Sequence, residues 1–230
     1  MKKLVVLTGA GMSAESGIQT FRGNNGLWEG YDVMKVASPE GWREDKALVL
    51  EFYNQRRKNV LESKPNAGHF ILKELEQFVE VWIITQNIDN LHERAGSSNI
   101  IHLHGEITKG RSTVDDRLVF ELDKPTIELG DKCPKGSQVR PHIVWFGEQV
   151  PMIEPAVEIV GQADILLVIG TSMAVYPAAG LVQFAPAHCP IFLIDPDENH
   201  ESTKQFKHIV AGASKGLEIF RDEFLGKFID

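Results

Sequence analysis

The chain has 230 residues, a formal net charge of −8 at pH 7 and a pI of about 5.5. An acidic surface argues against a protein whose main task is to hold the phosphate backbone of a nucleic acid, and solubility explains it more simply than attraction of basic substrates. The length allows one or two domains with a substantial core.

The spacing of the cysteines and the lengths of the apolar runs exclude further classes of protein. Cys133 and Cys189 lie too far apart in sequence to form a local motif, so neither a disulfide framework nor a complete zinc tetrad is available. The apolar run at residues 4–7 is too short for a signal peptide, and no run approaches the roughly 18 apolar residues of a membrane span. We therefore expect a cytoplasmic monomer with no membrane or nucleic-acid partner.

The first predicted element is a strand at residues 4–7 that breaks sharply into a glycine turn. Gly9, Gly11 and Ala14 fit the G-x-G-x-x-A pattern, in which small residues let the main chain approach a pyrophosphate at a helix N-terminus. A tight strand-to-helix turn without a ligand has the same pattern. Residues 15–28 are too rich in glycine and polar residues for a helix or strand, and we expect a loop that closes over a ligand.

Helices and strands alternate through the rest of the chain. Ser38 and Pro39 predict a helix start, with helical residues at 42–61, and Asn66 is the expected cap of a second helix. Apolar strands are predicted at residues 79–85, 100–105, 143–145, 163–170 and 191–195, and an amphipathic helix at 214–229. Polar or small residues follow these strands, which is how an open α/β sheet presents groups to a ligand.

Residues 106–140 interrupt this pattern with mixed charges, prolines and little periodicity, and short strands are expected there at 118–120 and 126–129. The predicted fold is α/β, a doubly wound, Rossmann-like parallel sheet with a smaller lobe built from two insertions. The large domain is predicted at residues 1–23, 64–105 and 141–230, and the lobe at residues 24–63 and 106–140.

Five segments, in order and across nearly the whole chain, resemble one protein family. They are Gly-Ala-Gly-x-Ser-Ala-Glu-Ser-Gly-Ile-x-Thr-Phe-Arg-Gly at residues 9–23, Thr-Gln-Asn-Ile-Asp-Asn-Leu-His at 85–92, Leu-His-Gly at 103–105, Arg-Pro-His-Ile-Val-Trp-Phe-Gly-Glu at 140–148 and Gly-Thr-Ser at 170–172. The chain resembles the sirtuins, NAD-dependent protein-lysine deacylases. The resemblance implies NAD as co-substrate and acyl-lysine-containing proteins as partners.

The resemblance also implies catalytic roles for His104 and Asn87, although a histidine near a strand end is more often structural. In sirtuins the histidine of Leu-His-Gly is the general base, and a near-neutral pKa suits it to take a proton from a ribose hydroxyl. The implied products are free lysine, nicotinamide and O-acyl-ADP-ribose. His102 alternates onto the same face of the strand, but the family pattern does not make it catalytic.

Gln86, Asn87 and Asp89 match the family motif that lines the nicotinamide and ribose pocket, and an Asx turn that caps a helix near Asn90 explains the same residues. Asp195 ends a strand and could accept from the adenosine ribose, although sirtuins often carry asparagine there. The full predicted NAD-binding set is Gly9, Ala10, Gly11, Thr20, Phe21, Arg22, Gln86, Asn87, Asp89, Gly170, Thr171, Ser172 and Asp195.

The predicted acyl-lysine-binding residues form two groups. Val144, Trp145, Phe146, Gly147 and Glu148 match the family segment that pairs with the substrate backbone and walls the lysine tunnel, and a buried core strand is the alternative for most of them.

Tyr53 and Arg56 form the second group and share one face of a predicted helix. This Tyr-x-x-Arg pair resembles that of sirtuins that remove acidic acyl groups such as succinyl and malonyl, where the guanidinium fork would meet the acyl carboxylate. We expect removal of both acetyl and acidic acyl groups. Arg57 and Lys58 are expected on a solvated face.

Sirtuins usually hold a structural zinc ion with two pairs of cysteines, since a closed tetrahedral site needs four such ligands. Between Gly105 and Arg140 this chain has only Cys133, so we predict no metal site. The lobe would then be held by its own packing, through Leu118, Val119, Phe120, Ile127 and Leu129.

Two other functions use the same features. An NAD glycohydrolase or mono-ADP-ribosyltransferase would need no lysine tunnel, and the intact segment at 144–148 disfavours it. An NAD-sensing binding module would be expected to lack the base, whereas His104 is present.

Overall fold

The structure is a computed structural model that describes residues 1–19, 27–28, 30–171, 178–198 and 206–229. Its strands in chain order are β1 (Lys3–Thr8), β2 (Leu27–Trp28), β3 (Tyr31–Asp32), β4 (Glu80–Thr85), β5 (Ile100–His102), β6 (Gly105–Ser112), β7 (Val119–Glu121), β8 (Val139–Ile143), β9 (Ile165–Ile169), β10 (Ile191–Asp195) and β11 (Phe206–Val210).

The α-helices are α1 (Ala10–Ser13), α2 (Val33–Val36), α3 (Pro39–Glu44), α4 (Lys46–Glu62), α5 (Ala67–Leu75), α6 (Leu91–Ala95), α7 (Ile153–Val160), α8 (Ala213–Ile219) and α9 (Gly226–Ile229). The predicted caps are confirmed, because the side chains of Ser38 and Asn66 accept from the first turns of α3 and α5. The long helix predicted at 42–61 is divided at Asp45, whose side chain caps α4 by accepting from Leu48 N. The terminal helix continues from α8 through a π-helical turn at Phe220–Leu225 into α9.

Six parallel strands form the large sheet in the order β11-β10-β9-β1-β4-β5. The chain runs outward from β1 through β4 to β5, and then returns to the other side of β1 through β9, β10 and β11. This is the doubly wound arrangement predicted from the sequence, and its switch point lies between β1 and β9. Ligands bind open sheets of this kind beyond the carboxyl ends of the strands at the switch point.

Both faces of the large sheet are covered. Val6 of β1 lies in a core with Leu72 of α5 and Leu217 of α8, whereas Leu7 faces the opposite core with Val160 of α7. Strands buried on both faces must be apolar throughout, which explains why the sequence marks them as continuous runs. None of the described helices is both long enough and apolar enough to cross a membrane.

The small lobe has a three-stranded antiparallel sheet in the order β7-β6-β8, packed against α4. The strand predicted near 143–145 as part of the large sheet is therefore wrong, because β8 ends at Ile143 and pairs with β6. An apolar run indicates a strand but does not say which sheet the strand joins.

A second correction concerns residues 126–129, which do not form the predicted strand. The main-chain groups of Ile127 bond instead to the side chain of Asn54 on α4, whose Nδ2 donates to Ile127 O at 3.0 Å and whose Oδ1 accepts from Ile127 N at 2.9 Å. One side chain thus satisfies the groups that a neighbouring strand would otherwise bind. Ile127 is buried as expected, but Leu129, predicted to support the lobe, is 58% exposed.

Candidate active site

The ends of β1 and β9 touch at the switch point. The amide of Gly9 donates to Ile169 O at 3.0 Å, and the amide of Gly11 donates to Gly170 O at 2.8 Å. A Cβ on Gly11 would lie 2.6 Å from Gly170 Cα, and Gly170 has a φ of +58°. These positions therefore need glycine because the two main chains meet directly. Ala10 is half-buried in the turn.

Amide side chains that follow β4 bond to this glycine turn and to the residue just beyond β9. Gln86 Nε2 donates to Thr171 Oγ1 at 3.0 Å, just beyond β9. Asn87 Nδ2 donates to Gly9 O at 2.9 Å and to Ser13 Oγ at 3.1 Å. The structure therefore brings together predicted NAD-binding residues from the ends of three adjacent strands.

Asp89 belongs to the same network and is 4% exposed. Its Oδ2 accepts from Ser13 Oγ at 2.9 Å, and its Oδ1 accepts from Leu91 N at 3.1 Å at the start of α6. Burial raises the pKa of Asp89, while the bonds from Leu91 and Ser13 act against that rise. The Asx turn that caps a helix, which was the alternative explanation for Asp89, is thus present. Ser13 links Asn87 to Asp89, and the sequence analysis had not singled it out, although it lies inside the first family segment.

His104 stands two residues after β5 and faces Gln86. Its Nδ1 lies 3.0 Å from Gln86 O. Because a carbonyl oxygen can only accept, this contact assigns the ring hydrogen to Nδ1 and leaves a lone pair on Nε2. Burial lowers the pKa of His104, and the bond to Gln86 only partly opposes this. The imidazole is therefore neutral near pH 7 and able to accept a proton at Nε2.

Residues 144–148 form a turn beside His104. Val144 N donates to His104 O at 3.0 Å, and Glu148 N donates to Trp145 O at 3.0 Å. Gly147 has a φ of +88°, a conformation that favours glycine. The Glu148 carboxylate closes the turn by accepting from Trp145 N at 2.8 Å. A buried core strand, the alternative considered for this segment, does not occur.

Charged groups hold this turn in place. Arg140 Nη1 donates to Glu148 Oε1 at 2.6 Å, and its guanidinium carbon lies 3.2 Å from the centre of the Trp145 ring. Arg111 adds a longer contact to Glu148 at 3.4 Å. Burial acts to raise the pKa of Glu148, but the bonds from Arg140 outweigh it and lower the pKa. Trp145 is buried and Phe146 is 43% exposed, so the two rings of the motif face different surroundings.

Trp145 also contacts the Tyr-x-x-Arg pair. Its Nε1 donates to the hydroxyl of Tyr53 at 3.1 Å, and both Tyr53 and Arg56 are buried on α4. Burial raises the pKa of Tyr53 well above its usual value, and the nearby charge of Arg56 acts in the opposite direction. The phenol therefore stays neutral. Two motifs that are widely separated in sequence meet in one cluster.

Arg57 does not lie on a solvated face as expected. It is 1% exposed, and its Nε donates to Ile107 O at 2.6 Å while Nη1 donates to Asn54 Oδ1 at 2.8 Å. The prediction failed because α4 packs against β6, so this turn of the helix faces protein. Lys58 is exposed, as predicted.

The remaining predicted NAD-binding residues lie further from this cluster or outside the described residues. Asp195 is fully buried at the end of β10, and its Oδ1 accepts from Asp197 N at 2.9 Å. The residues outside the described part of the chain are Thr20, Phe21, Arg22 and Ser172.

The tip of the small lobe does not offer a donor set that suits a structural zinc ion. Cys133 Sγ lies 3.3 Å from Ser112 Oγ and 3.1 Å from Ser137 Oγ, and Asp115 nearby pairs with Lys135 Nζ at 2.6 Å. Hydroxyls are not among the usual ligands of such a site. Within the described ranges, no group of three or more His, Cys, Asp or Glu side chains is arranged to hold a metal ion.

Comparisons with known proteins point to one family. The model of the Sir2 family matches residues 9–177. An NAD-dependent protein deacylase from Bacteroides thetaiotaomicron is 55% identical over 224 residues, which cover 95% of this chain and 96% of that protein. Among solved structures, a mutant Sir2 homologue in complex with ADP-ribose has a TM-score of 0.86 at 40% identity, covering 96% of this chain and 91% of that one. A Sir2 homologue–NAD complex has a TM-score of 0.84 at 39% identity, covering 96% and 88%.

Proposed function

Since the chain belongs to the Sir2 family, we propose that it is an NAD-dependent protein-lysine deacylase that releases nicotinamide and O-acyl-ADP-ribose. The observation that carries the proposal is His104, whose Nδ1 is held by Gln86 O at the ligand-binding edge of the sheet. Nε2 is thereby left as an acceptor for the proton of a ribose hydroxyl.

The residues around His104 suit NAD. The glycine turn and the amides of Gln86 and Asn87 converge at the switch point, where dinucleotides bind folds of this kind. NAD, when bound, supplies the ribose that receives the acyl group. The part of the protein is to orient the glycosidic bond with these amides, to exclude water and to accept the proton at His104 Nε2.

The turn at residues 144–148 favours a deacylase over the two alternatives. Its main chain bonds to His104, and its aromatic side chains belong to the segment that would wall the lysine tunnel. An NAD glycohydrolase or mono-ADP-ribosyltransferase has no use for such a wall, and an NAD sensor has no use for the base.

Nicotinamide release, measured with NAD in the presence and absence of an acetyl-lysine or succinyl-lysine peptide, distinguishes these functions. We expect release only with peptide, together with formation of O-acyl-ADP-ribose. Equal release without peptide would support the hydrolase, and binding of NAD without release in either case would support the sensor.

We further propose that Tyr53 and Arg56 bind the carboxylate of an acidic acyl group. The support is their joint burial, one helical turn apart, beside Trp145 of the tunnel segment. A neutral phenol does not repel a carboxylate, and a guanidinium binds one in a bidentate manner that lysine does not reproduce. Acetyl groups lack this carboxylate, so both acyl classes remain substrates.

Arg56→Met tests this specificity. A hydrogen bond to a charged group contributes about 1.5–3 kcal/mol, so kcat/KM for succinyl-lysine peptide should fall roughly 10- to 100-fold. The value for acetyl-lysine peptide should change little. Lys58→Met, at an exposed position on the same helix, is the matched control and should alter neither value. Equal losses on both peptides would assign Arg56 to the fold instead.

The absence of structural zinc is part of the proposal, and the unsuitable donor set around Cys133 supports it. The domain boundaries, a monomeric state and a cytoplasmic location stay predictions.

A further inference from the structure

Two histidines at the end of β5 contact two consecutive carbonyl groups. His104 Nδ1 lies 3.0 Å from Gln86 O, and His102 Nδ1 lies 3.3 Å from Asn87 O. The two side chains therefore act on adjacent peptide units of the segment that carries the proposed nicotinamide contacts. The proposed role of His104 as general base explains its contact with Gln86 O. The proposed function does not explain the contact between His102 and Asn87 O.

The second ring nitrogen of His102 is also engaged. Its Nε2 lies 2.7 Å from Glu93 Oε1 on α6, and the His102 side chain is only 9% exposed. Both contacts face acceptors, since a carbonyl oxygen cannot donate and a carboxylate donates only when protonated. Only the doubly protonated ring satisfies both at once. His102 and His104 thus differ in protonation, because no carboxylate among the described residues contacts the second ring nitrogen of His104.

The charges around His102 agree with this assignment. Burial acts to lower the pKa of His102, but the hydrogen bond and charge of Glu93, followed by the charge of Glu106 on β6, outweigh it and raise the pKa. The charge of His102 also acts, as a minor cause, against the rise that burial produces in the pKa of Asp89. Burial lowers the pKa of His92 and keeps that ring neutral, and the positive charge of Lys109 is paired with Glu106 at 2.8 Å.

The peptide unit that His102 contacts belongs to Asn87, whose side chain bonds to Gly9 O and Ser13 Oγ. The amide of Asn87 donates to Thr85 Oγ1 at 3.0 Å, so the contact with His102 adds a second point at which the main chain of this residue is held, on its carbonyl side. We propose that His102, held by Glu93, is a positioning residue that fixes the main chain of Asn87 for cleavage of the nicotinamide–ribose bond. This inference rests on the proposed function.

Two substitutions of His102, each of which reproduces one ring nitrogen, test its two contacts separately. The amide nitrogen of His102→Asn reaches the place of Nδ1 and keeps the bond to Asn87 O, whereas that of His102→Gln reaches the place of Nε2 and keeps only the bond to Glu93. We expect His102→Gln to lower kcat for peptide-dependent nicotinamide release about 10-fold with little change in KM for the peptide, as for a misplaced orienting group. His102→Asn should stay within about 3-fold of the wild type on the same reasoning.

The exposed partner provides a second variant, because Glu93→Gln removes the carboxylate without touching the site. In the wild type, a His102 ring that loses a proton at high pH should give its remaining hydrogen to the charged Glu93 and release Asn87 O, so kcat should fall there. In Glu93→Gln the amide donates to Nε2 and the ring hydrogen stays on Nδ1, so this alkaline fall in kcat should disappear. Equal losses in both His102 variants, or losses matched by a fall in Tm and a rise in KM, would overturn the proposal and leave a purely structural pair.

The protonation of the two histidines can be measured without catalysis, so this inference can be tested separately from the proposed function. NMR titration of the histidine rings in the protein without NAD should show His102 losing its proton at higher pH than His104, and Glu93→Gln should remove that difference. A His102 ring that loses its proton at or below the pH at which His104 does would overturn the proposal even if the enzyme is active. Failure of the wild type to release nicotinamide with any peptide would instead refute the proposed function and leave the titration result standing.

Discussion

The large sheet and the small lobe bury different kinds of side chain. In the large sheet the strand interiors are aliphatic, as at Val6 and Leu167, and buried polar residues such as Thr8, Thr85 and Asp195 stand at the strand ends. The lobe instead buries the guanidinium groups of Arg57 and Arg140 and the thiol of Cys133. The large sheet is therefore stabilised mainly by apolar area removed from water, whereas the lobe adds to its own apolar core a few buried hydrogen bonds from charged side chains. Substitutions at the carboxyl edge of the sheet should alter catalysis, and substitution of a buried charged group that holds the lobe, such as Arg57, should alter stability.

The largest effect is expected at the sheet edge. His104→Ala should lower peptide-dependent nicotinamide release about 100- to 10,000-fold, the usual contribution of a general base. The side chain is half-buried, so Tm should change little. Turnover and thermal unfolding are measured on the same samples, with His188→Ala at an exposed position as control. Near-wild-type turnover would show that His104 is not the base.

In the lobe, Arg57→Met should lower the free energy of unfolding by about 2–3 kcal/mol, because it leaves the buried Ile107 oxygen without its donor. Urea unfolding measures the change. Lys58→Met, one residue further along α4 and exposed, should stay within about 0.5 kcal/mol of the wild type. Similar changes in the free energy of unfolding of both variants would show that the buried bonds of Arg57 do not stabilise the lobe.

Two histidines are buried among the helices that cover the large sheet, His69 on α5 and His92 on α6. The rings of His69 and His92 lie 4.8 Å apart, and His92 Nε2 contacts Thr8 Oγ1 at 3.2 Å. Burial lowers the pKa of His69 to about 4 and that of His92 well below its usual value. Between pH 6.5 and 4 the unfolded chain therefore binds more protons, and stability falls as pH falls.

This linkage predicts a loss of about 2 kcal/mol from His69 alone between pH 7 and pH 5, calculated from the two pKa values. Urea unfolding at each pH measures it, and His69→Gln should flatten the profile in this window. A wild-type profile that is already flat from pH 7 to pH 5 would show that these histidines are not buried in their neutral forms.

The smallest effect is expected from metal removal. A chelator should leave the urea midpoint unchanged, and Cys133→Ser should lower stability by about 1 kcal/mol or less, because a hydroxyl can replace the thiol in its contacts with Ser112 and Ser137. Stoichiometric zinc in the purified protein, or unfolding by the chelator, would refute the proposed zinc-free lobe.

Sequence patterns predicted the large sheet far better than the lobe, and the reason is physical. A strand buried on both faces needs an unbroken apolar run, and its end is marked by glycine or polar residues, as at Gly9, Gln86 and Gly170. In the lobe, β6 was not predicted because its eight residues are mostly polar or glycine and form no apolar run. The edge strand β11 was not predicted either, since its sequence, Phe-Lys-His-Ile-Val, neither alternates regularly between apolar and polar residues nor forms a continuous apolar run.

The sequence by itself determined the doubly wound class of the large sheet, the caps at Ser38 and Asn66 and the grouping of Gln86, Asn87 and His104, because each depends on local pattern and on the rule that parallel strands end at one edge. Only the tertiary structure decided that β8 joins the lobe, that Arg57 is buried while Lys58 is not, and that His102 meets both Glu93 and Asn87. Such outcomes depend on which surfaces meet across large sequence separations. A polar residue has the same local signature whether it faces water or a distant carbonyl, so no local pattern distinguishes the two.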